Sequence, residues 1–175
     1  PMVKRQVRSD SAHVIISGEP MDFAEYISER RQDQIRVNFN QLGEAVLGDH
    51  EADRRLEEYL MRLQSDEVDY CSVKLSSIVS QISLTGYEYT KEEIKKRLRK
   101  VYQAAMSGAG DRPAKFVNLD MEEYRDLHLT VDIFEEVLDE PEFENLEAGI
   151  VLQAYLADSF SVLQSLAQWA QQRFE

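Results

Sequence analysis

Apolar residues along the chain fall into two kinds of stretch. Short apolar runs predict strands, and longer stretches with apolar residues every three or four positions predict amphipathic helices. Four strand-then-helix units follow one another, with predicted strands at residues 35–39, 70–75, 116–119 and 148–152. A further helix is predicted at 21–33. We therefore expect an α/β protein with a helical lead-in over residues 1–34 and one domain over 35–175.

The order of the predicted elements favours a parallel sheet, since a helix between two strands supplies the crossover that parallel pairing needs. The strands are largely apolar, which is typical of strands buried on both faces. Two architectures fit. One is the first four units of a (βα)8 (TIM-type) barrel, which needs about 250 residues when complete. The other is an open doubly wound sheet, which is disfavoured as a dinucleotide site because no G-x-G-x-x-G follows a strand.

The third unit is the most informative stretch, because a strand runs directly into a helix at Asp120. Asp120 and Glu123 have the spacing of a capping box, as do Thr90 and Glu93 in the second unit. The sequence therefore predicts a helix start at each pair. Residues 139–147 form an acidic loop, which we expect to be a solvated surface.

Polar residues stand at the end of each predicted strand: Asn40, Lys74, Asp120 and Gln153. Strand ends of parallel α/β proteins meet at one edge, where active sites lie. Burying the Lys74 ammonium is costly without a partner, and Asp120 is the expected one. The pair could bind and orient a substrate carboxylate or be a structural ion pair. Gln153 could contact a planar heterocycle through its amide or cap a loop, and Asn40 could be a site or a turn residue.

Composition restricts the function. The formal charge of −13 disfavours a nucleic-acid partner or docking on an anionic membrane. No apolar run reaches the roughly 18 residues of a spanning helix, and no signal-peptide pattern is present, so we expect a cytoplasmic protein. Cys71 is the one cysteine, and His13, His50 and His128 lack ligand spacing, so we expect no metal site.

Four motifs in order carry a resemblance to a known family. They are L-G-E-A-V at 42–46, S-V-K-L-S at 72–76, K-F-V-N-L-D-M-E-E-Y-R-D-L at 115–127 and L-E-A-G-I-V-L-Q-A-Y at 146–155. With them the chain closely resembles the proline dehydrogenase domain of bacterial bifunctional proline-utilisation flavoenzymes. In those enzymes proline dehydrogenase is fused to L-glutamate-γ-semialdehyde dehydrogenase.

The resemblance implies a distorted (βα)8 barrel that binds FAD and oxidises L-proline to Δ1-pyrroline-5-carboxylate, passing electrons to a quinone. NAD would be used only if the parent carries the second dehydrogenase. Lys74 would hold the proline carboxylate, Asp120 would lie beside that lysine and the flavin, and Gln153 would contact the isoalloxazine. Asn40 stands where the family often has aspartate, and peripheral membrane association of the parent stays open.

The family's later motifs do not occur in this sequence, among them an arginine strand followed by K-G-A and a terminal helix with paired arginines. We therefore expect an N-terminal half barrel that neither oxidises proline nor holds FAD tightly by itself. Exposed edges of the first and fourth strands could support homo-oligomers. Two alternatives are a self-contained α/β ligand-binding domain and an assembly module without catalysis.

Overall fold

The computed structural model describes residues 6–7, 10–11, 14–16, 19–41, 46–107 and 114–174. The chain divides into two compact units, Pro1–Val37 and Asn38–Glu175. In the first unit, helix α1 spans Pro20–Gln32, and the side chain of Ile27 is buried. Proline suits the first turn of a helix, where its missing N–H would have no partner. The predicted helix at 21–33 is therefore confirmed.

The second unit alternates strands with helices. Its elements are β1 (Asn38–Asn40), α2 (Asp49–Gln64), β2 (Tyr70–Lys74), α3 (Leu75–Ile78), α4 (Tyr87–Ser107), β3 (Phe116–Asp120), α5 (Leu127–Leu138), β4 (Ala148–Ile150) and α6 (Ser159–Arg173). The four strands of this described unit form one sheet in the order β1-β2-β3-β4, and every pair is parallel. The predicted parallel α/β architecture is confirmed, although β1 begins three residues later than expected.

The two faces of the sheet differ in chemistry. The register aligns Ser72 with Asn118 and Lys74 with Asp120, so these four residues share one side, here called the polar face. The alternate residues, among them Cys71 and Leu119, are fully buried in one cluster with helix side chains. The central residues of β2 and β3 are buried on both faces, as expected, but the strands are less apolar than the sequence suggested. Strand β2 reads Y-C-S-V-K and β3 reads F-V-N-L-D, so polar and apolar positions alternate.

The core lies between the apolar face of the sheet and the helices. Helix α2 contributes Tyr59 and Leu63, α4 contributes Leu98 and Tyr102, and α5 contributes Ile133, each fully buried. Burying a large apolar side chain contributes about 1.5–3 kcal/mol relative to its exposure. This packing fixes the sheet on its helical side and leaves the polar face to carry chemistry.

Both predicted capping boxes were wrong. Helix α4 begins at Tyr87, and the buried hydroxyl of Thr90 donates to the carbonyl of Ser83 at 3.0 Å, anchoring the preceding loop. Asp120 stays in β3 because its backbone is in register with Lys74 of β2. Helix α5 begins only at Leu127, after a 3-10 turn at Tyr124–Asp126. Strand pairing thus outweighs the local helix signal at Asp120.

Helix α6 buries only part of its apolar surface. Val162 and Leu166 are buried, whereas Phe160 is 69% and Leu163 is 54% exposed. Asp158 precedes the helix, yet its carboxylate accepts the Tyr124 hydroxyl and no helix N–H. An apolar strip of α6 is therefore open to solvent.

The acidic loop after α5 is largely solvated, as expected, with Asp139, Glu142, Glu144 and Glu147 exposed, and it also contacts neighbouring helices. The Arg99 guanidinium of α4 binds both carboxylate oxygens of Glu140, at 2.9 and 3.0 Å through Nε. The indole N–H of Trp169 in α6 donates to Asp139 at 3.0 Å. Arg173 donates to the carbonyls of Leu138 and Glu144. The loop thus joins α4, α5 and α6.

Glu136 of α5 lies between two lysines of α4. Its carboxylate accepts from Lys91 at 2.8 Å and from Lys95 at 2.9 Å. Burial acts to raise the pKa of Glu136, but the hydrogen bonds from Lys91 and Lys95 outweigh it, so the pKa lies below the ordinary value of 4.5. A lowered carboxyl pKa stabilises the fold above that ordinary value, and this stabilisation is lost as the pH falls through the lower folded value.

We expect Glu136→Gln to lower the free energy of unfolding at pH 7 by about 1 kcal/mol, a modest loss because solvent screens the partly exposed carboxylate. The difference from the unchanged chain should shrink as the pH falls from 4.5 through the lower folded pKa, where the native carboxylate becomes protonated. Urea unfolding at pH 7, 5, 4 and 3 measures this. The control is Glu57→Gln, at an exposed position of α2, which should leave stability nearly unchanged at every pH. A constant difference across the pH range would contradict the assignment.

Candidate functional site

A group of polar side chains gathers at the carboxyl ends of the strands. This strand-end cluster consists of Asn40, Lys74, Asn118, Asp120, Glu122 and Gln153. Parallel pairing places the ends of β1, β2 and β3 side by side, and the segments after β3 and β4 supply Glu122 and Gln153. The cluster lies where α/β proteins place ligands.

Asp120 is held by two neutral amides. Its Oδ1 accepts from Asn118 Nδ2 at 3.0 Å, and its Oδ2 accepts from Asn40 Nδ2 at 3.1 Å. Neutral donors orient the carboxylate but leave its charge uncompensated, whereas a lysine would compensate it. Asp120 therefore presents a fixed negative charge at the strand ends. Asn40, left open by the sequence, has the role of a donor to this carboxylate.

Lys74 pairs with a residue that the sequence interpretation did not include. Its ammonium lies 3.1 Å from Glu122 Oε1, and the other oxygen of Glu122 accepts the Ser76 hydroxyl. The expected ion pair between Lys74 and Asp120 was wrong, although the two residues are neighbours in register. The segment after β3 brings a second carboxylate to the ammonium while amides hold Asp120. We missed Glu122 because its position had been assigned to a helix.

Gln153 has one satisfied and one unsatisfied end. Its Nε2 donates to the main-chain carbonyl of Glu122 at 3.1 Å. Its Oε1 is shielded from solvent and has no hydrogen-bond partner within the described residues. A buried acceptor left unpaired costs about 1–3 kcal/mol. The Gln153 oxygen thus suits the N–H of a ligand.

Gly149 of β4 sets the distance between that strand and Asn118. A Cβ at this position would lie 2.7 Å from Asn118 Oδ1 and 2.9 Å from Phe116 Cζ. Glycine therefore permits the close approach that keeps the Asn118 amide directed at Asp120. This supporting role is readable only from the structure.

The three predicted site residues, Lys74, Asp120 and Gln153, all lie at the strand-end edge, and Glu122 joins two of them. Residues 42–45 of the L-G-E-A-V motif and His13 lie outside the described residues. His50 and His128 are exposed.

In the described ranges, no group of three or more His, Cys, Asp or Glu side chains could hold a metal ion. Burial raises the pKa of the Cys71 thiol to about 12, so it stays protonated at neutral pH.

No helix in the described part of the chain is both long and apolar enough to cross a membrane.

Comparisons with known proteins point to one family. A family model described as proline dehydrogenase matches residues 23–174. The chain is similar to the structure of proline utilization A (PutA) from Corynebacterium freiburgense, with 45% identity, a TM-score of 0.85, and coverage of 96% of this chain and 17% of that one. A search of curated proteins gave no match.

A second similar structure is PutA from Bdellovibrio bacteriovorus, described as inactivated by N-propargylglycine. It is 31% identical, with a TM-score of 0.82, and the match covers 98% of this chain and 20% of that one. PutA from Bradyrhizobium japonicum, a D778Y mutant, has 21% identity and a TM-score of 0.68 over 79% of this chain and 15% of that one, which shows a shared fold. The chain thus spans about a fifth or less of these proteins.

We expect Gly149→Ala to lower the free energy of unfolding by about 1–3 kcal/mol, because the added methyl forces Asn118 or β4 to move. Thermal or urea unfolding measures the loss. Gly86→Ala is the matched control, since a Cβ there meets no atom within 4 Å. Equal effects of the two substitutions would contradict the close approach at Gly149.

Proposed function

The chain belongs to the proline dehydrogenase family, and we propose that it forms one side of a site that oxidises L-proline to Δ1-pyrroline-5-carboxylate. One observation supports this proposal above the others. A lysine ammonium and an unpaired, buried amide oxygen, those of Lys74 and Gln153, both lie next to Glu122 at the strand ends. The first suits a substrate carboxylate and the second suits the N–H of a heterocyclic cofactor.

Lys74 is proposed to bind the proline carboxylate. An ammonium-to-carboxylate hydrogen bond is charge-assisted and is about twice as strong as a neutral one. The Lys74 side chain is 22% exposed, so part of its surface is accessible. The position of Lys74 at the end of β2 fixes where the substrate's carboxylate would lie relative to the strand ends.

Asp120 is proposed to act as the fixed negative charge of the site. Starting from the cationic ring nitrogen, oxidation removes a hydride from a ring carbon of proline and two protons from the nitrogen, leaving a C=N bond. The nitrogen is cationic before it loses its protons, and a fixed carboxylate favours that charge. The amides of Asn40 and Asn118 hold Asp120 in one orientation throughout.

FAD is the proposed cofactor, and when bound it would supply the acceptor for the hydride. Gln153 fits such a group, because its shielded Oε1 lacks a donor among the described residues and its Nε2 is already held. We propose that Gln153 contacts the isoalloxazine ring and that Asp120 lies near it. A quinone as the next electron acceptor, and NAD in a fused second dehydrogenase, stay predictions from the family resemblance.

We further propose that the strands are the first four of a (βα)8 barrel. In the described sheet, β4 is an edge strand. A cavity of about 770 Å³ lies beside it, lined by apolar side chains that include Ile150, Phe160 and Leu163. We propose that the next strand–helix unit of the same polypeptide fills this cavity. The chain's coverage of 17% and 20% of the two PutA structures supports such a continuation.

In the full-length natural protein, we expect Lys74→Met to lower kcat/KM for L-proline at least 100-fold, mainly through KM, because the carboxylate loses a charged partner. Proline-dependent reduction of a dye measures the rate. Lys100→Met, at an exposed position of α4, is the control and should leave the rate within two-fold. Similar rates for the two variants would contradict the role of Lys74, and the absence of proline oxidation in the unchanged protein would refute the proposed function.

We expect the 175-residue chain alone to self-associate and to bind a hydrophobic dye, because the cavity beside β4 exposes apolar surface. Light scattering and dye fluorescence measure both properties. Phe160→Ser should reduce both, whereas Met61→Ser, which removes a similarly exposed side chain from α2, should not. A monomer that binds no dye would argue against an open half barrel and for a self-contained domain. A stable dimer of fixed size would favour an assembly module.

A further inference from the structure

Glu122 occupies the position around Lys74 that an incoming carboxylate needs. Its Oε1 lies 3.1 Å from the Lys74 ammonium, and the two side chains are 22% and 31% exposed for Lys74 and Glu122. Neither group is deeply buried, so another anion can approach the same ammonium from solvent. The pair is therefore weak enough to be exchanged, since the equilibrium constant for forming an exposed ion pair is only about a few-fold in favour of the pair.

The charges of the strand-end cluster explain why exchange is needed. Among its six residues, Lys74 is the cation, whereas Asp120 and Glu122 are anions, which gives a formal charge of −1. Asp120 is held by neutral amides, so its negative charge is not compensated within the cluster. A carboxylate that approaches this edge meets net repulsion as long as Glu122 stays on the ammonium.

The contacts of Glu122 allow its side chain to move without its backbone. The main-chain carbonyl is held by the Gln153 amide at 3.1 Å, which anchors the segment after β3. The second carboxylate oxygen accepts from Ser76, so the side chain has an alternative hydrogen-bond donor near Lys74. Rotation of Glu122 towards Ser76 would release the Lys74 ammonium and leave Gln153 in place.

We propose that Glu122 is an internal placeholder that competes with the substrate carboxylate for Lys74. The inference rests on the proposed function for the identity of the substrate, but not for the exchange itself. Glu122 is thus a positioning residue that sets the affinity of the site for carboxylates. When no ligand is bound, Glu122 keeps the Lys74 ammonium paired.

The test uses the full-length protein and two small probes. Cyclopentanecarboxylate has the ring and the carboxylate of proline without the nitrogen, and pyrrolidine has the ring nitrogen without the carboxylate. We expect Glu122→Gln to tighten binding of cyclopentanecarboxylate about two- to five-fold, the range that follows from the strength of exposed ion pairs. Binding of pyrrolidine should not tighten. Calorimetric titration measures both without requiring turnover.

Three variants separate the exchange from other effects. Glu123→Gln removes the same charge one residue away, where the carboxylate pairs with Arg125 at 2.7 Å, and should leave cyclopentanecarboxylate affinity unchanged. Glu122→Ala should act in the same direction as Glu122→Gln. In a Lys74→Met background, Glu122→Gln should have no effect, because the two residues act through one pair. In turnover, Glu122→Gln should lower KM for proline and change kcat less than two-fold.

The outcomes distinguish this inference from the proposed function. Unchanged or weaker binding of cyclopentanecarboxylate by Glu122→Gln overturns the inference, whether or not proline is oxidised. Tighter binding in a protein that does not oxidise proline supports the exchange and refutes the proposed function. Absence of cyclopentanecarboxylate binding in both the unchanged protein and Glu122→Gln overturns the inference as well.

Discussion

The parallel register between β2 and β3 is the constraint on which the rest of the structure depends. By pairing Lys74 with Asp120, it assigns alternate residues of both strands to opposite faces. A shift of one strand by one residue would move either Lys74 or Asp120 into the helical core and remove Val73 or Leu119 from it. The cost of burying charge and exposing core side chains excludes that alternative, so the register and the site are determined together.

Ion pairs hold together the helices that cover the apolar face of the sheet. Helices α4 and α5 are joined by the Glu136 contacts to Lys91 and Lys95, and the loop after α5 is tied to α4 by Arg99 and Glu140. The charged residues of the chain thus serve two separate purposes, holding helices together and lining a candidate site.

The order of elements followed from hydrophobic periodicity, because each helix has a continuous apolar face and each strand a compact apolar run. Lys74, Asp120 and Gln153 were identifiable because strand ends share an edge in parallel sheets. The polar face could also have been recognised, since Ser72 and Asn118 alternate with apolar residues. The role of Glu122 was not accessible, because its contact with Lys74 depends on the path of the segment after β3.

Cys71 adds a property that its chemistry alone does not suggest. The thiol is buried between the polar face and the helices, and burial keeps it protonated. It is also the one cysteine of the sequence. A thiol reagent can therefore reach it only when β2 separates from its neighbours or from the helices above it. The rate of labelling then reports how often the sheet beneath the site opens, so Cys71 is a built-in probe of local unfolding.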